Sequence, residues 1–142
     1  MPVLAEEQAV LDLLRTTEFL SRPFDQLMKA EDLSATQYNV LRILRGASEG
    51  LACGEIGNRM ITHDSDITRL LDRMEKRGLI SRSRDAQDRR MVLTRITPGG
   101  LDLLERTDEP VREIHRRQLG HMGRERLEML RNLLRVCRGE AD

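Results

Sequence analysis

At 142 residues the chain suits one domain, able to bury roughly 68% of its unfolded surface, and its 24 Lys and Arg balance 24 Asp and Glu. No apolar run approaches the roughly 18 residues of a membrane span. The opening MPVLAEEQAV carries acids where a secretion signal has a basic start, so a cytoplasmic location is expected. Three aromatics, Phe19, Phe24 and Tyr38, give no stacking platform for single strands, and Cys53 and Cys137 lie outside any CxxC spacing, which excludes a disulfide scaffold or zinc cluster.

From about Ala5 to Lys29, Val10, Leu13, Leu14, Leu20, Phe24, Leu27 and Met28 recur at near-helical spacing, a long amphipathic helix that Pro23 is expected to bend. Leu33-Ser34-Ala35-Thr36-Gln37-Tyr38 has the form of a capping box, with Ser34 as N-cap, Gln37 at N3, and Leu33 and Tyr38 as hydrophobic staple. It predicts a helix over about 35–47, closed near Gly46 to Gly50. A short helix from about Gly54 to Met60 leads through Ile61-Thr62-His63 into a second one, capped by Thr62, His63 or Asp64, which together make a helix-turn-helix. In that second helix Ile67, Leu70, Leu71 and Met74 share the inward face, while Asp66, Arg69, Arg73 and Lys76 share a solvent stripe. Gly78 at C′, with Leu79 against Met74, signals a Schellman stop.

Leu79 to Arg84 and Met91 to Thr97 read as two strands, with Val92, Thr94 and Ile96 on one face and Asp85 to Arg90 as the exposed tip. Thr97-Pro98 supplies an N-cap and an N1 proline, flanked by the staple pair Ile96 and Leu101, and starts a helix to about Leu119 in which Pro110 predicts a kink or break. Past Gly120 and Gly123 a last helix sets Leu127, Leu130, Leu134 and Cys137 on one stripe.

The expected fold is a single domain over residues 1–142, mainly α with a small β-wing. A winged helix-turn-helix over about 33–97 is flanked by dimerisation helices over about 1–32 and 98–142. The terminal helices carry more apolar stripe than one small winged helix needs, and a second copy of the chain would bury the surplus. Such a homodimer presents two reading helices about 34 Å apart, matching successive major grooves.

Charge is unevenly placed. Residues 59–95 hold ten Arg and Lys against six acids, net +4; residues 1–58 hold five against nine, net −4; the rest balances nine against nine. The excess is nearly all arginine, with Lys29 and Lys76 the only lysines, which suits bidentate phosphate and guanine contacts on duplex DNA. Arg69 and Arg73 are placed for phosphates or base edges, and Ser65 and Thr68 for donation near the helix start. Asp66 is read either as a cap that orients the helix or as an acceptor for a cytosine amino group. Catalysis would need Asp85 with Asp88, or His63 with Cys53, and neither pair has an orienting third group. His115 and His121 turn to different sides of a helix, against a metal site. No cofactor motif is found. Cys53, beside Gly54 at a helix start, motivates an alternative reading as a thiol-based redox sensor; Cys137 is expected in the core or a dimer interface.

Three motifs together resemble the multiple-antibiotic-resistance regulator (MarR) family of bacterial winged-helix transcription factors. They are Leu33-Ser34-x-x-Gln37-Tyr38-x-Val40-Leu41, Thr68-Arg69-Leu70-Leu71-Asp72-Arg73-Met74-Glu75-x-x-Gly78-Leu79-Ile80, and Asp88-Arg89-Arg90 followed by Ile96-Thr97-x-x-Gly100. The resemblance implies a homodimer on pseudo-palindromic double-stranded DNA, usually a repressor, released in many members by a small phenolic or aromatic effector or by cysteine oxidation. It implies that Arg90 reaches the minor groove with Arg89 and Arg84 on flanking backbone, and Asp88 is expected to brace the wing through an arginine. The family's ligand cleft lies between the terminal helices and the DNA module; the sequence assigns no residues to it. Two departures stand out: His63-Asp64-Ser65-Asp66 replaces the hydroxyl-rich or proline-containing start common in relatives, and no cysteine lies near the start of the first helix, where the peroxide-sensing branch has one. A winged helix that has lost DNA binding and holds another protein is the reading from a different class.

Overall fold

The computed structural model describes residues 1–140, so the last two positions of the expected C-terminal region lie outside it. Helix α1 spans Ala5–Ala30, α2 Ala35–Arg45, α3 Cys53–Arg59 and α4 Ile67–Lys76; strands β1, Ile80–Arg84, and β2, Val92–Ile96, precede α5, Pro98–Leu119, and α6, Gly123–Cys137. The fold is mainly helical with a two-stranded antiparallel wing, paired from Ile80 opposite Ile96 to Arg84 opposite Val92.

Local chemistry accounts for most of the ends. Ser34 Oγ accepts from Gln37 N–H at 3.0 Å and Gln37 Oε1 accepts from Ser34 N–H at 3.1 Å, the reciprocal capping box, with Leu33 and Tyr38 both buried beside it. Gly78 adopts φ +73°, its N–H donates to Glu75 O at 2.9 Å, and Leu79 N–H donates to Met74 O at 3.1 Å, the two bonds of a Schellman motif. Thr97 Oγ1 accepts from Gly100 N–H at 3.2 Å and starts α5 on Pro98.

One boundary differs from expectation. The cap of α4 is Asp66, whose Oδ1 accepts from Arg69 N–H at 3.1 Å, while Asp64 Oδ1 accepts from Asp66 N–H at 2.8 Å. Two successive carboxylates thus tie down the turn and delay the helix to Ile67, so neither Thr62, His63 nor Asp64 caps it and Asp66 precedes the solvent stripe instead of joining it.

Neither internal proline ends its helix: α1 is continuous through Pro23 and α5 through Pro110. Pro23 has no N–H, which strips the Phe19 carbonyl four residues earlier of its helical donor. Gln118 of α5 repairs the loss, its Nε2 donating to Phe19 O at 3.0 Å and to Leu20 O at 3.3 Å. Replacing Gln118 by leucine is expected to lower stability by about 1 kcal/mol in urea unfolding, and by less in a Pro23→Ala background, where Phe19 O regains a helical partner. Equal losses in both backgrounds would show that the bond is unrelated to the proline.

The core runs through the C-terminal end of α1 (Met28), α2 (Val40, Leu41, Leu44), α3 (Ile56), α4 (Leu71, Met74), the wing root (Leu79, Ile80) and α5 (Leu103, Leu104, Val111). Half-buried Arg45 of α2 fastens α5 through a bidentate pair with Asp108, at 2.8 and 3.0 Å, and this guanidinium holds the Asp108 carboxyl below the usual carboxylate range. Residues 5–19 of α1 and the whole of α6 stand outside this core, whereas α5 runs through it. No residue of α6 is buried, and the Cys137 side chain is exposed, so a core position for it in the single chain is ruled out. Of fifteen exposed large hydrophobics, eleven lie before residue 20 or after residue 122, among them Leu14 at 63% and Leu133 at 66% exposure.

Candidate nucleic-acid interface

Helix α4 is the middle of a three-part surface. Leu71 and Met74 hold its inner face in the core, Ile67 and Leu70 are partly buried beside them, and Thr68, Arg69, Arg73 and Lys76 are exposed. Ser65 and Asp66 lie exposed in the turn before it. Because α4 is short and both ends are fixed, by Asp66 at one and Gly78 at the other, its outward side chains are presented from a rigid base.

The wing is held against α4 by Arg82, a residue that sequence reasoning passed over. Its guanidinium binds Asp72 and, at 3.1 Å, Glu75, while its own backbone N–H donates to Glu75 Oε2 at 3.0 Å. The Arg82 guanidinium holds the Glu75 carboxyl below its ordinary range. A short spacing signal existed, since Asp72 and Glu75 share the wing-facing side of α4 at i, i+3. Arg82→Ala is expected to leave the fold intact and weaken duplex binding by about 0.5–1.5 kcal/mol, with partial recovery in Arg82→Lys. Wild-type affinity in the alanine variant would mean that the wing is oriented by other contacts.

At the tip, the expected bracing takes another form. Asp88 Oδ1 accepts from the backbone N–H of Arg90 at 3.1 Å, with no guanidinium partner among the described residues, because the turn brings that N–H closer than any side chain. Arg84 Nη1 donates to Arg89 O at 2.8 Å, so it shapes the tip as well as facing outward. The side chains of Arg89 and Arg90 are exposed. Leu51 adds a backbone bridge to β2, exchanging bonds with Thr94 at 3.0 and 2.8 Å, a contact the sequence does not announce.

The electrostatic arrangement separates this surface from the rest of the molecule. Of the ten cations in residues 59–95, only Arg59 and Arg82 pair with a carboxylate among the described residues; the other eight keep their charge uncompensated. Elsewhere ten of fourteen are paired. Unpaired arginines spread over a helix and a wing form the electrostatic footprint of a duplex-binding face.

A second feature lies on the other side of α2. A cavity of about 620 Å³ opens between α1 (Leu20, Phe24), α2 (Tyr38, Arg42), α5 (Val111, His115) and the α3–α4 turn (Ile61, Thr62). Phe24 and Tyr38 meet edge to face with centroids 5.3 Å apart, and Arg42 Nη1 donates to Tyr38 Oη at 3.1 Å with its guanidinium 5.9 Å from the ring centroid. Ile61 is 88% exposed, and its N–H donates to Asn39 Oδ1 at 2.8 Å, so the turn leading into α4 is latched to the cavity's wall.

Among solved structures, the chain is 39% identical to a MarR transcription factor from Planctomyces limnophilus, with a TM-score of 0.71 over 96% of this chain and 98% of that one. The chain belongs to the MarR family. The MarR family model itself matches residues 33–92, from the capping box of α2 to the first residue of β2. A curated relative, the HTH-type transcriptional repressor IacR of Pseudomonas putida, is 31% identical over 79% of this chain and 66% of its own length. The structure of Bordetella bronchiseptica BpsR, described as regulated in DNA binding by 6-hydroxynicotinic acid, is 25% identical with a TM-score of 0.85 over the whole of both chains. Membership makes this MarR-family chain a DNA-binding transcriptional regulator, and its relatives are regulators, not enzymes. No helix among the described residues is long and apolar enough to cross a membrane.

Proposed function

We propose that the chain acts as a homodimeric repressor of a pseudo-palindromic operator, released by a small-molecule effector. In this reading Ser65, Thr68, Arg69 and Arg73 meet the major groove, Asp66 orients α4 or accepts from a cytosine, Arg90 enters the minor groove, and Arg84 and Arg89 lie along the backbone. The observation that carries it is the set of uncompensated cations on α4 and the wing. Dimerisation rests on the apolar surface of α1 and α6, where Leu14 and Leu133 stay mostly exposed among the described residues.

The effector reading rests on the cavity beside Tyr38. Its volume falls in the range of small-molecule sites, its body is apolar at Leu20, Phe24 and Val111, and Arg42 and His115 offer donors to an acidic or phenolic group. The ligand of BpsR, an aromatic acid with a ring hydroxyl, belongs to that chemical class. An occupant touching Ile61 and Thr62 biases the turn that aims α4, and lowers DNA affinity by its differential affinity for the two states.

The test is a duplex titration at rising salt, with mass measured on the same sample. The proposal expects twice 16.4 kDa and a steep loss of affinity with salt. It also expects DNA release by small aromatic acids that is abolished in Leu20→Trp, which fills the cavity. A folded monomer, or binding indifferent to salt as in a hydrophobic protein-partner interface, would contradict it.

A further inference from the structure

The two lysines of the chain, Lys29 at the end of α1 and Lys76 at the end of α4, line one cavity of about 400 Å³ together with Arg73 and Arg77. Its far wall is the first turn of α2, at Ser34 and Gln37, beside Leu33. In a chain that uses arginine 22 times, counting 24 Lys and Arg less two Lys, both lysines line the same open cavity.

The charge there is not neutralised. Lys29, Lys76 and Arg73 have no carboxylate within ion-pair distance among the described residues. Arg77 spends its guanidinium on the backbone carbonyls of Asp32 and Glu31, which fixes the cavity's edge without cancelling charge. One carboxylate, Asp32, lines the cavity, and against four cations it leaves a net of +3. Most cations outside residues 59–95 are paired, so Lys29 stands with the unpaired cations of α4 as a concentrated positive patch that favours an anionic partner.

Position names the source. Arg69, Arg73 and Lys76 follow one another at i, i+4 and i+7 on the exposed side of α4, so the cavity continues the reading stripe on the flank opposite the wing. A helix seated in the major groove has a phosphate backbone on each flank, and the wing meets only one of them. We propose that this cavity holds a backbone phosphate of the bound duplex, gripped chiefly by Lys29 and Lys76, so that the DNA footprint extends beyond the winged helix onto the end of α1. The proposal rests on the DNA-binding reading above. Phosphate contacts fix register and carry no sequence information, the role suited to lysine as a point charge.

The test uses the full chain and a labelled random-sequence duplex titrated between about 50 and 200 mM salt, the range over which phosphate contacts register as slope. Lys29→Ala and Lys76→Ala are each expected to weaken binding and to make the slope of log K against log salt shallower by about 0.9 per protomer, equally on random and on selected DNA. Arg126→Ala removes an exposed cation from α6 and is expected to leave the slope at its wild-type value. A wild-type slope in a folded Lys29→Ala protein overturns the assignment. So does a calorimetric signal for pyrophosphate that Lys29→Ala removes while the DNA slope stays unchanged, since the ligand is then a free phosphate compound. Failure of the wild-type protein to bind any duplex is a different result, and removes the DNA-binding reading itself.

Discussion

Arg90→Ala is expected to cost about 1–3 kcal/mol of DNA binding, a loss of roughly tenfold to somewhat over a hundredfold, with no change in the melting transition. The two halves of that expectation have separate causes. Arg90 contributes only its backbone N–H to the wing, donated to Asp88 Oδ1 at 3.1 Å, and an alanine keeps that bond. Its side chain is exposed and uncompensated, so what it does for the molecule it does with a partner. Fluorescence anisotropy on a selected fragment, with a thermal melt on the same preparation, separates the two. Unchanged affinity in a folded variant would remove the minor-groove role from this residue.

Gly100→Ala is expected to destabilise the fold by about 3 kcal/mol, at the upper end of what overpacking a core usually costs, and to lower the melting temperature by roughly 10 °C. A Cβ at this position falls inside contact distance of the Leu79 carbonyl oxygen and 2.7 Å from Ile96 Cγ1. The first of these is backbone, held in place by Thr97 N–H at 3.1 Å, so it cannot step aside without opening the junction between the wing and α5. Gly54→Ala is the comparison, since a Cβ there meets nothing within 4 Å and alanine favours the helix by roughly 0.5–1 kcal/mol. Calorimetric melts of both variants check the contrast, and a Gly100→Ala protein as stable as wild type would show the junction to be looser than its spacing.

Features written in a few neighbouring residues were legible without coordinates. Ser34 with Gln37, Gly78 with Leu79 and Met74, and Thr97 with Pro98 each set a helix end through bonds spanning at most five residues, and each occurs as read. The start of α4 stayed open because five polar residues in a row, Thr62 to Asp66, offered competing caps; Asp66, read as one of two possibilities for that residue, is the cap, and its pairing with Asp64 excludes Thr62, His63 and Asp64. The prolines show the limit of local rules in another way: neither breaks its helix, and the carbonyl that Pro23 leaves without a helical donor is met by Gln118, 99 residues away from Phe19. The grip of Arg82 on Asp72 and Glu75, the Leu51 bridge and the Tyr38 cavity likewise assemble from separate segments, and no periodicity encodes them. Charge was legible as a regional excess, but only the fold distinguishes cations that are paired from those left free to meet DNA.

Whether the α4 and wing surface reads a two-fold duplex site is decided by selection of sheared genomic DNA with the purified protein at physiological salt, followed by sequencing of the retained fragments. The expected result is enrichment of a pseudo-palindrome whose half-sites lie about one helical turn apart, lost when Arg69, Arg73 and Arg90 are replaced together. No enrichment over competitor DNA, from protein shown to be folded and dimeric and tested with and without small aromatic acids, would contradict it.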